Sequence, residues 1–204
     1  MILIHIKPQA SCAAHKTSVM AQAQRTLTLA FLRPAPDDAL MNRLTARASK
    51  HGICHAELVF DGGVAFSIYH DQSPFLKHRT MSNPGYELVT LSVSNREYKS
   101  SYGFCQSVVA EQYKFDNAGL WLASVHPGGC LDKPSCRLGK TFCSKIITEA
   151  LQFADVCEVR DLYPSATTPS RLYEAVKDSG RRMCHTVRPM QNLDATGQLK
   201  MAAK

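Results

Sequence analysis

From Phe142 onward the apolar residues Ile146, Ile147, Ala150, Leu151 and Ala154 recur at helical spacing, while Lys145, Thr148, Glu149 and Gln152 fall elsewhere on the wheel. That period predicts one amphipathic helix. Thr141, after a Gly-Lys turn, is the expected N-cap, so Cys143 stands in the first turn. There the unpaired backbone N–H groups and the helix dipole favour a negative charge, and hence thiolate over thiol.

The same reading gives the other elements. "RTLTLAFLR" (25–33) predicts a strand, and after Pro34 and Pro36 a helix over 37–50 sets Leu40, Met41, Leu44 and Ala48 on one face. "CHAELVFDGGVAFSIY" holds two β-rich runs around Asp-Gly-Gly and predicts a hairpin with strands at 54–60 and 64–69, since glycine supplies the positive φ of a tight turn. "YELVTLSVS" (86–94) alternates as a strand, and Ser94 with Glu97 makes a capping box for a helix over 95–114. Residues 116–140 read as loop-rich. Thr168, Pro169 and Gly180 bracket a last helix by the usual start and stop signals. Strands and helices without a repeat or a composition break imply one α+β domain. Segment 1–24 is expected to be peripheral, and 190–204 a flexible tail.

With 45% hydrophobic and 20% charged residues in 204, the chain has the composition of a globular domain with a real core. The net charge of +7 raises the question of nucleic acid. The basic residues are spread without a long run and no nucleic-acid motif is present, so no specific nucleic-acid partner is expected. The eight cysteines follow no secretory leader, and a reducing, cytoplasmic setting with several thiols buried as small hydrophobes is the expectation. No segment has the roughly 18 to 20 continuous apolar residues of a membrane span.

Within this frame, position singles out a few side chains. His55 opens the first hairpin strand, and alternation puts His55, Glu57 and Val59 on one face with Ala56, Leu58 and Phe60 on the other. A histidine near a first-turn cysteine can take its proton and hold the ion pair. A turn at Asp61–Gly63 sets Glu57 opposite Ser67 and leaves Ser67 diagonal to His55, so either side chain could orient the imidazole. Glu57 is favoured because a carboxylate also stabilises imidazolium, although same-face neighbours lie about 6 to 7 Å apart along a strand. His126, Cys130 and Cys136 in "HPGGCLDKPSC" could be read as zinc ligands, but they lack a CxxC and a fourth neighbour; a turn-rich loop with reduced thiols is preferred. Trp121 and Leu122 just before it serve as an anchor for that loop or as part of a substrate wall.

A histidine hairpin "CHAELVFDGG", a segment "YKFDNAGL", a helix "TFCSKIITEAL" and then "TTPSRLYEAV" together resemble the circularly permuted papain-like peptidases of the NlpC superfamily. The branch is similar to the YiiX-like and poxviral enzymes, with lecithin retinol acyltransferase-like enzymes as relatives. In that group the histidine strand precedes the cysteine, as here. The resemblance spans roughly residues 25–180. It implies an antiparallel sheet packed against helices, a catalytic domain over 25–189, Cys143 as nucleophile, His55 as general base and Glu57 as third polar residue. Ser67 departs from the pattern, in which the second strand often carries a larger polar or acidic group.

The expected activity is therefore a cysteine hydrolase acting through an acyl-enzyme, with no cofactor. Its expected substrate is an amide or isopeptide bond in a polypeptide, with a viral origin and a ubiquitin-like conjugate as one form of this reading. The alternatives are a thiol acyltransferase or lipid hydrolase, and an inactive binding domain of the same fold.

Overall fold

The structure is a computed structural model that describes residues 24–125 and 139–178. The expected peripheral segment, apart from Gln24, and the expected C-terminal tail lie outside these residues, as do His126, Cys130 and Cys136.

Alternating apolar residues build a five-stranded antiparallel sheet from β1 (Gln24–Leu32), β2 (His55–Phe60), β3 (Val64–Ser67), β4 (Phe75–His78) and β5 (Tyr86–Ser94), in the spatial order β4-β3-β2-β1-β5. The β2–β3 hairpin turns through Asp61–Gly63, with Gly62 and Gly63 at φ of 72° and 77°. Its register pairs Leu58 with Phe66 and Phe60 with Val64, which puts Glu57 across from Ser67 as anticipated. β4 was not anticipated, and the second hairpin strand stops at Ser67.

One sheet face carries Leu27, Leu29, Phe31, Ala56, Leu58, Phe66, Val89 and Leu91 into the main core. Three helices close over it: α2 (Asn95–Ala110), α4 (Cys143–Phe153) and α5 (Pro169–Lys177). α2 is opened by the capping box of Ser94 and Glu97, and α5 by Thr168, whose hydroxyl accepts the Arg171 N–H, with Pro169 as its first residue. α2 ends at Ala110 rather than at 114, because Gln112 takes a positive φ of 52° and the chain re-enters a strand.

Three expectations need correction. The helix over 37–50 is the shorter α1 (Leu40–Arg47), and its apolar stripe does not enter the core: Leu40, Met41 and Leu44 are exposed and Ala46 is its buried residue. The N-cap of α4 is Phe142 rather than Thr141. Phe142 is extended and fully packed in the core, so its side chain, not a capping hydroxyl, sets the helix start. Cys143 still occupies the first turn.

The third correction concerns residues 116–140, whose described part is not loop. Strands β6 (Lys114–Phe115) and β7 (Lys140–Thr141) pair in parallel, and helix α3 (Asn117–Val125) follows β6 directly. Asp116 caps α3 by accepting the Gly119 N–H at 2.9 Å. Gly119 is required there, because a Cβ would lie 2.4 Å from the Asp116 carboxylate.

Candidate active site

His55 begins β2, the central strand of the sheet, and Cys143 begins α4, which packs on β2. α4 is fixed at this end by the Ser144 hydroxyl, which donates to the Thr167 carbonyl at 2.7 Å. Cys143 and His55 line the same cleft, where the His55 charge and the nearby backbone N–H groups of Ala56 and Ser144 favour a negative sulfur. Both side chains are almost withdrawn from solvent, at 2% and 6% exposure. Burial opposes a charge on the sulfur, yet the imidazolium beside it holds the Cys143 thiol below its ordinary value. Burial likewise opposes a charge on the ring, but Cys143 and then Glu57 raise His55 to about 9. Both shifts favour the thiolate–imidazolium form of the pair over the neutral one.

Ser67 and Glu57 both meet the ring, on its Nε2 side. Ser67 Oγ lies 3.3 Å from Nε2 and spends its own proton on the Ala56 carbonyl at 2.7 Å. A hydroxyl so engaged can only accept from Nε2–H. That leaves Nδ1 for the sulfur. Glu57 Oε1 stands 3.7 Å from Nε2, an ion-pair contact without a full hydrogen bond. The two candidates for the third position thus act together, the serine on the tautomer and the glutamate on the charge.

Glu57 is wholly buried, not the solvent-facing charge a lone strand residue suggests. Its Oε1 accepts from Tyr86 Oη at 2.5 Å, Tyr69 Oη at 2.7 Å and Arg79 Nη1 at 2.8 Å. Burial alone would raise this carboxyl, but the His55 imidazolium beside it and the hydrogen bond from Tyr86 keep it below the usual range, so it stays ionised. Burial and the charge of Glu57 push both tyrosines upward, which keeps them neutral donors. Among the described residues Glu57 Oε2 has no hydrogen-bond partner. Tyr69 also stacks on the His55 ring, with centroids 4.6 Å apart at 16°, and Phe75 continues the stack. The imidazole plane is therefore held by packing as well as by polar contacts.

No spacing along the chain signals Tyr69, Arg79 or Tyr86, since they reach Glu57 from β5 and from the segments flanking β4. Two further contributors were also unanticipated. The parallel β6–β7 register, with Phe115 beside Thr141 and the Asp116 N–H bonded to the Thr141 carbonyl, brings the N-terminus of α3 alongside that of α4. Asn117, the first residue of α3, consequently shares a cleft with Cys143. The second is α1, whose Met41, Asn42 and Thr45 form the opposite wall.

This cleft holds roughly 610 Å³, its open mouth included, and has Cys143, His55 and Cys54 among its lining. Trp121 lines it too, whereas Leu122 is not among its lining residues. Cys54 is the chemical contrast to Cys143: burial, then the charge of Cys143, pushes its thiol up to about 12. Among the described residues no group of three or more His, Cys, Asp or Glu is arranged to hold a metal, and no helix is long and apolar enough to cross a membrane. No protein-family model, curated protein or solved structure matches the chain.

Proposed function

We propose that the protein is a cysteine hydrolase that works through an acyl-enzyme, and that its fold is the circularly permuted papain-like arrangement. The observation that carries the activity is the buried pair at the cleft, in which Cys143 is held below and His55 above its ordinary pKa by mutual contact. Support for the architecture comes from the chain order: a histidine strand in an antiparallel sheet, then a cysteine at the start of a packed helix.

The Cys143 thiolate attacks a substrate carbonyl, and the new S–C bond leaves a negative oxygen. The Cys143 backbone N–H at the start of α4 is one donor to that oxyanion, and the Asn117 carboxamide across the cleft is the second. The His55 imidazolium gives its proton to the departing group as the C–N, C–O or C–S bond breaks. His55, now neutral, takes a proton from water, whose hydroxyl attacks the thioester; the products are a carboxylic acid and the restored thiol. Ser67 and Glu57 keep Nε2 protonated while Nδ1 carries the transferred proton. An amide or isopeptide in a polypeptide, with ubiquitin-like conjugates among the candidates, and an ester or thioester of a lipid are both served by this chemistry.

Intact-protein mass spectrometry after mixing with p-nitrophenyl acetate tests the reading. One acetyl group on Cys143, formed in a burst and absent in Cys143→Ala and His55→Ala, is the expected result. Acetylation spread over other thiols, or undiminished in His55→Ala, would mean that no catalytic pair operates.

A further inference from the structure

Cys54 is the thiol of the cleft that the acyl-enzyme cycle leaves unused. It lines the same space as Cys143, and both are nearly withdrawn from solvent. The chain sets them close together. His55 and the Ala56 N–H both act on the Cys143 sulfur, so that sulfur lies against the opening of β2, and Cys54 is the residue immediately before β2. One residue of extended chain adds only about 3.3 Å, and a disulfide joins Cα atoms about 4.4 to 6.8 Å apart. Among the described residues the other free cysteines are placed elsewhere: Cys105 is inside the main core and Cys157 follows α4, and neither lines the cleft.

The two thiols differ as a reacting and a resolving cysteine do. Cys143 is held toward thiolate by His55, and the thiolate is the form that a hydroperoxide oxidises. Cys54 stays protonated: burial and then the charge of Cys143 push it up to about 12, and its Sγ donates to the Leu32 carbonyl at 3.5 Å. Oxidation of Cys143 to the neutral sulfenic acid removes the second of those influences. Cys54 is thus eased toward its reactive form only after its neighbour has been oxidised.

Resting on the hydrolase reading above, we propose that Cys54 is the resolving cysteine of a peroxide switch, closing a disulfide on oxidised Cys143 that stops the hydrolase and spares its nucleophile from irreversible oxidation. In the first step the Cys143 thiolate attacks hydrogen peroxide; an S–O bond forms, the O–O bond breaks, and the departing hydroxide takes the His55 proton and leaves as water. In the second the Cys54 sulfur attacks the Cys143 sulfur, the S–O bond breaks, and the hydroxyl leaves as water with the Cys54 proton, for which neutral His55 is the base at hand. The two cysteines give up two electrons and one peroxide becomes two waters; a dithiol reductant reverses the bond by exchange.

The test starts from the reduced full chain, whose acetyl burst with p-nitrophenyl acetate is recorded first. After exposure to hydrogen peroxide and capping of the remaining thiols with iodoacetamide, non-reducing peptide mapping should find the Cys54 peptide joined to the Cys143 peptide, with the burst lost and then restored by dithiothreitol. In Cys54→Ser the same exposure should carry Cys143 on to sulfinic and sulfonic acid, and dithiothreitol should no longer restore the burst. The wild-type map decides the matter even where Cys54→Ser does not fold. Cys143 oxidised to sulfinic acid beside a free Cys54, a disulfide from Cys143 to any other cysteine, or a Cys143 that peroxide leaves reduced overturns the switch and leaves the hydrolase reading standing. Absence of the burst before any peroxide is added removes the hydrolase reading itself, and the switch with it.

Discussion

Removing the imidazole should convert Cys143 from the most acidic thiol of the cleft into one resembling its neighbour. Burial raises the Cys143 pKa and His55 is the first influence that overcomes it. Cys54, lining the same cleft without such a partner, shows where burial and a neighbouring negative charge carry a thiol, at about 12. If His55→Ala let Cys143 rise to that level, the part of the rise above the ordinary thiol value of 9.0, about three units, would by itself lower the thiolate fraction at pH 7 about a thousandfold. A more basic thiolate is also a better nucleophile, with a Brønsted coefficient near 0.5, so about half of that logarithm returns and the alkylation rate drops about thirtyfold. The Ala56 and Ser144 N–H groups remain and oppose part of the rise. The assay is the rate of iodoacetamide capture at each cysteine by peptide mass spectrometry between pH 5 and 9.5. In the wild type the Cys143 rate should level off below the pH at which ordinary cysteines titrate, while in His55→Ala it should still be climbing at pH 9. Equal Cys143 profiles in the two proteins, or a wild-type profile that tracks Cys54, would refute the ion pair.

Glu57→Gln keeps the shape of the side chain but removes the charge that helps raise His55 to about 9. The acid form of His55, needed to protonate the leaving group, persists up to that value in the wild type; in the variant the alkaline limb of kcat should move from about pH 9 toward the ordinary histidine value of about 6.5, and an unmoved limb would remove Glu57 from the mechanism. Asn117→Ala should lower kcat by about a hundredfold with KM nearly unchanged, as expected for a donor used only when the oxyanion forms; a change in KM alone would make Asn117 a binding residue.

Much of the frame could be read from local chemistry. Asp-Gly-Gly set the hairpin and its register, Ser94 with Glu97 set α2, and Thr168 with Pro169 set α5, because each is decided within a few residues. His55 and Cys143 were legible for the same reason, one by strand alternation and the other by helix period. α3 was hidden because Asp116 becomes a cap only when the parallel pairing of β6 and β7 fixes it, and Gly119 reads as a breaker until the carboxylate packed against it is known. The periodicity of α1 announced a helix but not where its apolar stripe would point. The support of Glu57 by Tyr69, Tyr86 and Arg79 was illegible, since these contacts depend on the order of strands in the sheet rather than on spacing along the chain.

The docking of α4 on β2 has a consequence for the life of the chain before it is folded. His55 belongs to the first hairpin, whereas Cys143 follows β5, α2 and α3. On a ribosome the histidine strand emerges first and waits. A free Cys143 in the growing polypeptide is an ordinary thiol, only a few per cent ionised at neutral pH. Reactivity arrives when the last helices close over the sheet, so synthesis and chaperone handling take place with the nucleophile still quiescent, and a truncated chain that stops before residue 143 has no warhead to misfire.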